Sequence, residues 1–323
     1  MSSDDGRRPA LSAGFAETLR RNAIVASTVV LFLVLSLGSA QFLTWVNLTN
    51  TLEAGAIYGI VAVGLTVLLI AGEFDLCAGA AVVLAGIIAA RLQPALGAWP
   101  SLMLGVAVSV AIGLFNGVTV AIFRLNSFVA TLASSLMVVG FGTIVPNGFQ
   151  LYVPDRSFAV LGNGTLLGIA FFVWLFLGFA LVAGFVLSQT AFGRWAYATG
   201  DDRNAARLAG IDIRAVQIRA FAFSGLAAGV AGAVLVSRTG TAIAGDGLGD
   251  ILFPAIAAVV IGGTSILGGR GAIWRTVLGV LFLEMIRNGF NLLEINAYYQ
   301  NIIRGGIILV AVTVDALSSR PSS

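Results

Sequence analysis

Long apolar runs, separated by short polar stretches, recur along most of the chain. Most of them reach or approach the roughly 20 residues with which a helix crosses a ~30 Å hydrocarbon core. Backbone groups in lipid must be hydrogen-bonded within the protein, so runs of this length predict spanning helices. The pattern therefore predicts an all-α polytopic membrane protein with about ten transmembrane segments. These segments cover residues 24–43, 54–71, 78–90, 102–123, 128–145, 166–187, 216–236, 254–262, 274–293 and 302–314.

Two of these segments, 78–90 and 254–262, are too short to cross alone, and both adjoin glycine-rich strings. Short segments interrupted by glycine are typical of broken or re-entrant helices that line a protected path. The strings LLIAGEFDLCAGA and VVIGGTSILGGRG share one arrangement, an apolar run, a glycine-centred break and a second apolar run. They indicate either an inverted repeat or glycine-rich helix packing that recurs by chance among 40 glycines.

Composition supports a membrane protein and removes several kinds of chemistry. Hydrophobic residues make up 58% of the chain and charged residues only 10%, whereas about 25% of a soluble globular chain is charged. The chain has no lysine, so it cannot contain the phosphate-binding GxxxxGKS or GxxxxGKT loop of an ATPase. It has no histidine, which removes the usual near-neutral proton shuttle. Cys77 is the only cysteine, so no disulfide can form within the chain.

The arginines predict the orientation, because cytoplasmic loops retain an excess of basic residues. With the N-terminus inside and ten spans, 13 of the 18 arginines lie at or near the cytoplasmic side. Both termini are then cytoplasmic, in a multi-pass protein of the plasma (inner) membrane. We predict a cytoplasmic tail 1–22, one transmembrane domain 23–315 with a cytoplasmic loop 188–214, and a cytoplasmic tail 316–323. The arginines are interleaved with membrane-length runs, so we expect no nucleic-acid partner.

The polar stretch 188–219 is too long to be a simple turn between two spans. Its centre, 204–209, is rich in helix-forming residues; Asp201 and Asp202 precede it as capping acids, and Gly210 follows as a stop. This pattern predicts a short surface helix that lies under the membrane. An arginine-rich loop that only sets the topology would have the same composition.

The same stretch resembles the permease subunits of ribose-type and related monosaccharide ABC importers, in which the pattern is close to TxFGRxxYAxGxNxxAAxxxGI. Asp201 and Asp202 stand where the family commonly has Gly-Asn, which makes the tip of this loop acidic. The matching residues are Thr190, Phe192, Gly193, Arg194, Tyr197, Ala198, Gly200, Ala205, Ala206, Gly210 and Ile211.

Other blocks extend the resemblance over roughly residues 45–315. GEFDLCAGA resembles the family string GGIDLSVGS, with Glu73 in place of a glycine and Cys77 in place of a serine. The block that begins at Asn116 and Gly117, and the string 255–271, also follow the family. Leu252 and Pro254 depart from it, because family members often carry Glu and Asp there.

The resemblance implies a transport subunit without its own ATPase site. Such a permease would receive a small polar solute, most simply a monosaccharide, from an extracytoplasmic binding protein, and would pair with a second permease copy. ATP and Mg would be bound by a partner ATP-binding cassette ATPase that docks on the loop 188–214. The residues expected at the docking loop are Gly193, Arg194, Gly200, Asp202, Ala205, Ala206 and Gly210.

Several polar or aromatic residues within the apolar part are candidates to line the translocation path. Asp75 either caps the segment that begins at Leu76 or contacts solute, while Glu73 is expected at a solvated rim. The amides could bond sugar hydroxyls or could simply join helices. The candidates are Asp75, Asn116, Phe128, Thr131, Asn288 and Asn291.

Two other functions remain open at this point. An ion-coupled secondary transporter could use the intramembrane carboxylates Glu73, Asp75 and Glu284. An intramembrane enzyme would need a carboxylate pair or an unusually activated serine, and no spacing points to one. The sequence does not distinguish pentose, hexose, deoxysugar, polyol or nucleoside as the solute.

Overall fold

A computed structural model describes residues 23–153, 156–245, 247–296, 299–300, 302–303 and 305–306. The predicted tails 1–22 and 316–323 and most of the tenth segment, 302–314, lie outside the described residues. Twelve helices are described: α1 Ala23–Gly38, α2 Trp45–Ile70, α3 Ala78–Leu96, α4 Ala98–Ala121, α5 Ser127–Ile144, α6 Val160–Asn163, α7 Phe171–Gln189, α8 Ala191–Asp201, α9 Arg203–Leu208, α10 Ile213–Thr239, α11 Phe253–Ile261 and α12 Ile273–Leu292.

The helices confirm the predicted all-α polytopic class. Within the described residues, α2, α3, α4, α5, α7 and α10 are long and apolar enough to cross a membrane, and Ile24–Gly38 and Gly249–Ile261 are shorter apolar helices. The second of these shorter helices corresponds to the predicted short segment 254–262. A one-turn π-helix, Leu248–Leu252, leads directly into α11.

The prediction that the segment at Ala78 is too short to cross was wrong, because α3 continues to Leu96. Gln93 is buried, and the helix runs through Pro94 before Gly97 ends it with a φ of +77°. Proline removes a backbone donor, but Pro94 lies in the last turn, where few helical hydrogen bonds remain to be lost. Polar residues near a helix end had shortened the apolar run without ending the helix.

The bundle is built around α2 and α10, which are the most deeply buried of the candidate spans. Helix α10 packs closely on α4, where Gly113 of α4 meets Gly225 of α10. A Cβ atom at Gly229 would lie 2.7 Å from the Cα of Val106, which is closer than packed atoms allow. Small residues at such a crossing let the two backbones approach and gain dispersion contacts.

Four two-residue strands, absent from the prediction, lie at the end of the bundle where α10 finishes. Strand β1 (Leu151–Tyr152) pairs antiparallel with β4 (Thr241–Ala242), and β2 (Thr165–Leu166) pairs with β3 (Ile169–Ala170). A 3-10 turn, Arg156–Ala159, and α6 lie between β1 and β2 in the chain. The pairs close loops, and the fold class stays helical.

Candidate functional site

The predicted surface helix is present, and it is preceded by a second short helix. Helix α8 begins after Thr190, whose Oγ1 accepts a hydrogen bond from the Gly193 N–H at 3.4 Å. Asp202 caps α9, because its Oδ1 accepts from the N–H groups of Asn204 at 2.7 Å and Ala205 at 3.1 Å. Gly210 follows with a φ of +79°. Asp202 and Gly210 therefore act as the sequence predicted, whereas Asp201 is the last residue of α8 and takes no part in the cap.

Three chain segments meet where α2 and α11 end, at a contact that we call the glycine junction (Gly72, Gly200, Gly268 and Gly269). The Gly269 N–H donates to the Ile70 carbonyl oxygen at 3.0 Å, so the two glycine-rich breaks lie together at one end of the bundle. An inverted repeat built from these two strings would place them at opposite ends. A Cβ atom at Gly200 would overlap the Ile70 carbonyl oxygen and crowd the Gly269 nitrogen. Backbone atoms of the loop therefore pack directly against backbone atoms of both breaks.

Tyr197 provides a second attachment between the loop and the break that precedes α12. Its hydroxyl donates to the Gly271 carbonyl oxygen at 2.8 Å. Burial raises the pKa of Tyr197, and the nearby Arg275 acts in the opposite direction. The hydroxyl therefore keeps its proton, and thus its role as a donor, at neutral pH.

Glu73 does not occupy the solvated rim that the sequence predicted, because it is 4% exposed. Its Oε1 lies 2.5 Å from the Arg203 Nη2 and also accepts from the side-chain amide of Gln217. Arg203 donates in addition to the Gly72 carbonyl oxygen at 2.9 Å. The prediction failed because the charge and the amide that permit burial come from parts of the chain more than a hundred residues away.

Asp75 is buried within the linker between α2 and α3, where both carboxyl oxygens have partners. Its Oδ1 accepts from the Cys77 N–H at 2.8 Å, and its Oδ2 accepts from the Ser224 hydroxyl at 2.8 Å. The prediction that Asp75 is the N-cap of a helix from Leu76 was wrong, because α3 begins at Ala78 and its N-cap residue is Cys77. Asp75 instead accepts from the amide just before the helix.

Helix α5 satisfies two further amides of the same linker. The Leu76 N–H donates to the Thr131 Oγ1 at 3.0 Å, and the Phe74 N–H donates to the Ser127 Oγ at 3.2 Å. A non-helical linker that is buried in a membrane protein needs partners for its backbone groups. Thr131 therefore supports the linker, whether or not it also faces solute.

Two further path candidates, Asn116 and Phe128, lie on α4 and α5. Asn116 on α4 is fully buried, and its amide makes no hydrogen bond of good geometry within the described part of the chain. Phe128 is half exposed and lies 6.1 Å from Phe74, centroid to centroid. A role of either residue in solute passage stays a prediction.

Asn288 and Asn291 lie at the other end of the bundle, near the end of α12. Asn288 and Asn47 exchange two amide hydrogen bonds, of 3.1 and 2.6 Å, between α12 and α2. Asn291 accepts from the Gln300 side chain at 3.1 Å. For Asn288, helix pairing accounts for the amide without any solute.

The predicted docking residues divide between two faces of the loop. Gly193 and Ala206 are buried beneath the surface, while Gly200 packs into the glycine junction. Leu208, which the sequence analysis did not single out, is 90% exposed at the end of α9. The residues on the outward face are Arg194, Asp202, Ala205 and Gly210.

Arg203 was also missed, because its partner Glu73 lies 130 positions away in the sequence and no local pattern joins the two residues. All three carboxylates that motivated the ion-coupled alternative have partners: Glu73 with Arg203, Asp75 with Ser224, and Glu284 with Arg287 at 3.7 Å. The arrangement does not favour that alternative.

Comparisons with known proteins agree with this architecture. Residues 47–312 match the family described as "Branched-chain amino acid transport system / permease component". The chain is 36% identical to the L-arabinose ABC transporter permease protein AraH of Azospirillum brasilense, over 94% of this chain and 89% of the relative. It is 36% identical to the ribose import permease protein RbsC of Escherichia coli K12, over 92% and 94% of the two chains.

A third relative, the L-arabinose transport system permease protein AraH of Escherichia coli K12, is 32% identical over 98% of this chain and 96% of its own. No solved structure matches the chain significantly. The family match covers most of the described bundle, including the linker after α2, the α8–α9 loop and the break before α12. The chain belongs to the branched-chain amino acid transport system / permease component family.

Proposed function

We propose that this chain is the membrane-spanning permease subunit of an ABC importer for a monosaccharide. The observation that carries the proposal is the outward-facing, capped helix α9, which begins three residues after Gly200 of the glycine junction in a chain of this permease family. Because the chain has no lysine for an ATPase phosphate loop, the partner cassette ATPase binds ATP and Mg and hydrolyses the ATP. The permease provides the path and the surface on which the ATPase acts.

The proposed substrate class comes from the named relatives. Two that are 36% identical over more than nine tenths of this chain are named for L-arabinose and ribose. Such similarity along the whole transmembrane region favours a pentose or a related monosaccharide. An extracytoplasmic solute-binding protein would deliver it, and a second permease copy would complete the path.

The distribution of arginines supports a cytoplasmic position for the α8–α9 loop and the glycine junction. Cytoplasmic loops of membrane proteins retain an excess of basic residues. Among the described arginines, those in segments at this end of the bundle are Arg124, Arg194, Arg203, Arg207, Arg214, Arg219, Arg270 and Arg275, while Arg91, Arg156, Arg238 and Arg287 belong to segments at the other end.

The two faces of the loop suit a docking role. The outward face of α9 presents Ala205 and Leu208 to solvent, while its inward face presents the buried Ala206. Behind it, Gly200 contacts the ends of both glycine-rich breaks. An ATPase that displaced α9 together with the end of α8 would therefore press on the linkers before α3 and α12 through the backbone of Gly200.

The test is reconstitution of the chain in proteoliposomes with its candidate cassette ATPase and solute-binding protein, with ribose and L-arabinose as probes. Leu208→Glu places a charge on the exposed face of α9 without disturbing packed atoms. Leu293→Glu makes the same change at an exposed position beyond the end of α12, at the opposite end of the bundle. Gly200 and Ala206 are unsuitable test sites, because substitution there would disturb packing instead of docking.

We expect ATP-dependent uptake of one of these sugars, with loss of ATPase co-purification and uptake in Leu208→Glu but not in Leu293→Glu. Thermal unfolding of both variants should match that of the unaltered chain. Full assembly and uptake in Leu208→Glu would remove the docking role of α9. Uptake that persists without any ATPase would overturn the importer assignment.

A further inference from the structure

Glu73, Arg203 and Gln217 form a bridge, the Glu73 bridge, between the α2–α3 linker, the first residue of α9 and the first turns of α10. We propose that this bridge is a positioning device: it holds α9 in register with the linker and so sets how much solute is moved per ATP hydrolysed. The proposal rests on the function proposed above and adds the residues that connect the docking helix to the membrane-spanning helices.

The two charged groups differ in exposure, and this difference indicates which of them a docked protein can displace. The Glu73 side chain is 3% exposed, whereas that of Arg203 is 49% exposed. A buried carboxylate is costly without a partner, because it has lost its water. Arg203 retains part of its hydration and is therefore the member that a docked protein can pull away.

Arg203 holds the linker at two points and not at one. Its Nη2 lies within hydrogen-bonding distance of both the Glu73 carboxylate and the Gly72 carbonyl oxygen. From the other side, Gln217 donates its amide to the same Glu73 oxygen. Movement of α9 relative to α10 would have to break one of these bonds. The bridge therefore fixes the relative position of α9 and α10, which are separated in the chain by the four residues 209–212.

Two further hydrogen bonds connect the linker, and with it Glu73, to two spanning helices. Asp75 is hydrogen-bonded to Ser224 of α10, and the Leu76 amide is hydrogen-bonded to Thr131 of α5. A shift of Glu73 would move these attachments as well, since they lie within three residues of it.

The first experiment measures the mobility of α9 in the purified permease by electron paramagnetic resonance. A spin label is attached to Leu208→Cys in a Cys77→Ser background, because Leu208 is exposed and Cys77 is the only native cysteine. Arg203→Gln and Glu73→Gln each remove one charge of the pair. Arg207→Gln removes an arginine from the same helix outside the bridge and is the matched control.

We expect the label to be more mobile in both bridge variants than in the unaltered chain. The spectrum in Arg207→Gln should be unchanged. Arg203→Lys, which keeps a positive donor, should restore most of the native spectrum. A native spectrum in Arg203→Gln would overturn the bridge as a positioning device. Glu73→Gln preserves the side-chain shape, so its spectrum tests the bridge even if Arg203→Gln fails to fold.

The second experiment uses the reconstituted transporter and compares the amount of ribose or L-arabinose taken up per ATP hydrolysed. We expect Arg203→Gln and Glu73→Gln to lower this ratio by about tenfold while the ATPase still co-purifies, and the double variant to be no worse than either single one. An unchanged ratio in both would overturn the inference and leave the proposed function intact. Failure of the unaltered chain to assemble with any ATPase would instead count against the proposed function.

Discussion

The Gly269 N–H donates to the Ile70 carbonyl oxygen at 3.0 Å, and this bond ties the end of α2 to the break before α12. Gly200 lies against both partners of the bond, with no space for a side chain. The contact explains why each of the three segments that meet there, although distant in the sequence, contributes glycine. It also makes the glycine junction sensitive to the smallest substitution.

Gly200→Ala should lower the free energy of unfolding by about 2 kcal/mol or more, because its Cβ would overlap the Ile70 carbonyl oxygen and force the junction apart. Thermal unfolding of the detergent-solubilised protein measures the change. Gly178→Ala on α7 is the control, since its Cβ would meet no atom within 4 Å. Equal stability of the two variants would show that the junction is not packed as described.

Asp75→Ala should destabilise the protein more than Asp75→Asn does. Alanine leaves the Cys77 N–H and the Ser224 hydroxyl without an acceptor, at a cost of about 1–3 kcal/mol for each group that stays buried. Asparagine keeps one carbonyl oxygen for the Cys77 N–H. Equivalent unfolding temperatures for the two variants would contradict the role of Asp75 as their acceptor.

Asn47→Ala and Asn288→Ala should each cost about 0.5–1.5 kcal/mol, because each removes one partner of an amide pair between α2 and α12. The double variant should cost less than the sum of the two, which a double-mutant cycle detects. Sugar uptake should keep its half-saturation concentration in Asn288→Ala. A large rise of that concentration would instead place Asn288 on the solute path.

Cys77 should resist maleimide in the native membrane, because its side chain is 0% exposed and packs beside Ser134. We expect labelling at least about 100-fold slower than in sodium dodecyl sulfate, where the bundle opens. Leu208→Cys in a Cys77→Ser background is the accessible control and should react at once. Fast labelling of native Cys77 would show that the start of α3 is open to water.

The sequence predicted the parts of this molecule that depend on local chemistry. Apolar runs located the spanning helices, and Asp202 and Gly210 marked the ends of α9 because capping is decided within a few residues. The same locality misplaced the end of α3, where polar residues before Pro94 ended the apolar run but not the helix. Apolar length is thus a better guide to the existence of a helix than to its limits.

The features that the sequence could not supply all join distant parts of the chain. Glu73 looked like a solvated acid because nothing near it in the sequence is basic; its partners Arg203 and Gln217 arrive through folding. Asn288 looked like a path residue because an amide in an apolar helix offers hydrogen bonds to any partner, and Asn47 is the partner that packing provides. Such pairings depend on which helices become neighbours.

Helix α2 is enclosed on most sides, yet α7, α10 and α12, which pack on it, are synthesised more than a hundred residues later. During that interval the surface of α2 that these helices later cover must tolerate lipid, and the apolar window of α2 has a mean hydropathy of 2.0. Its buried Thr66 can bond the Ala62 carbonyl oxygen of its own helix until Thr276 arrives. Helix α2 is thus suited to exchange lipid neighbours for protein ones as the later helices pack on it.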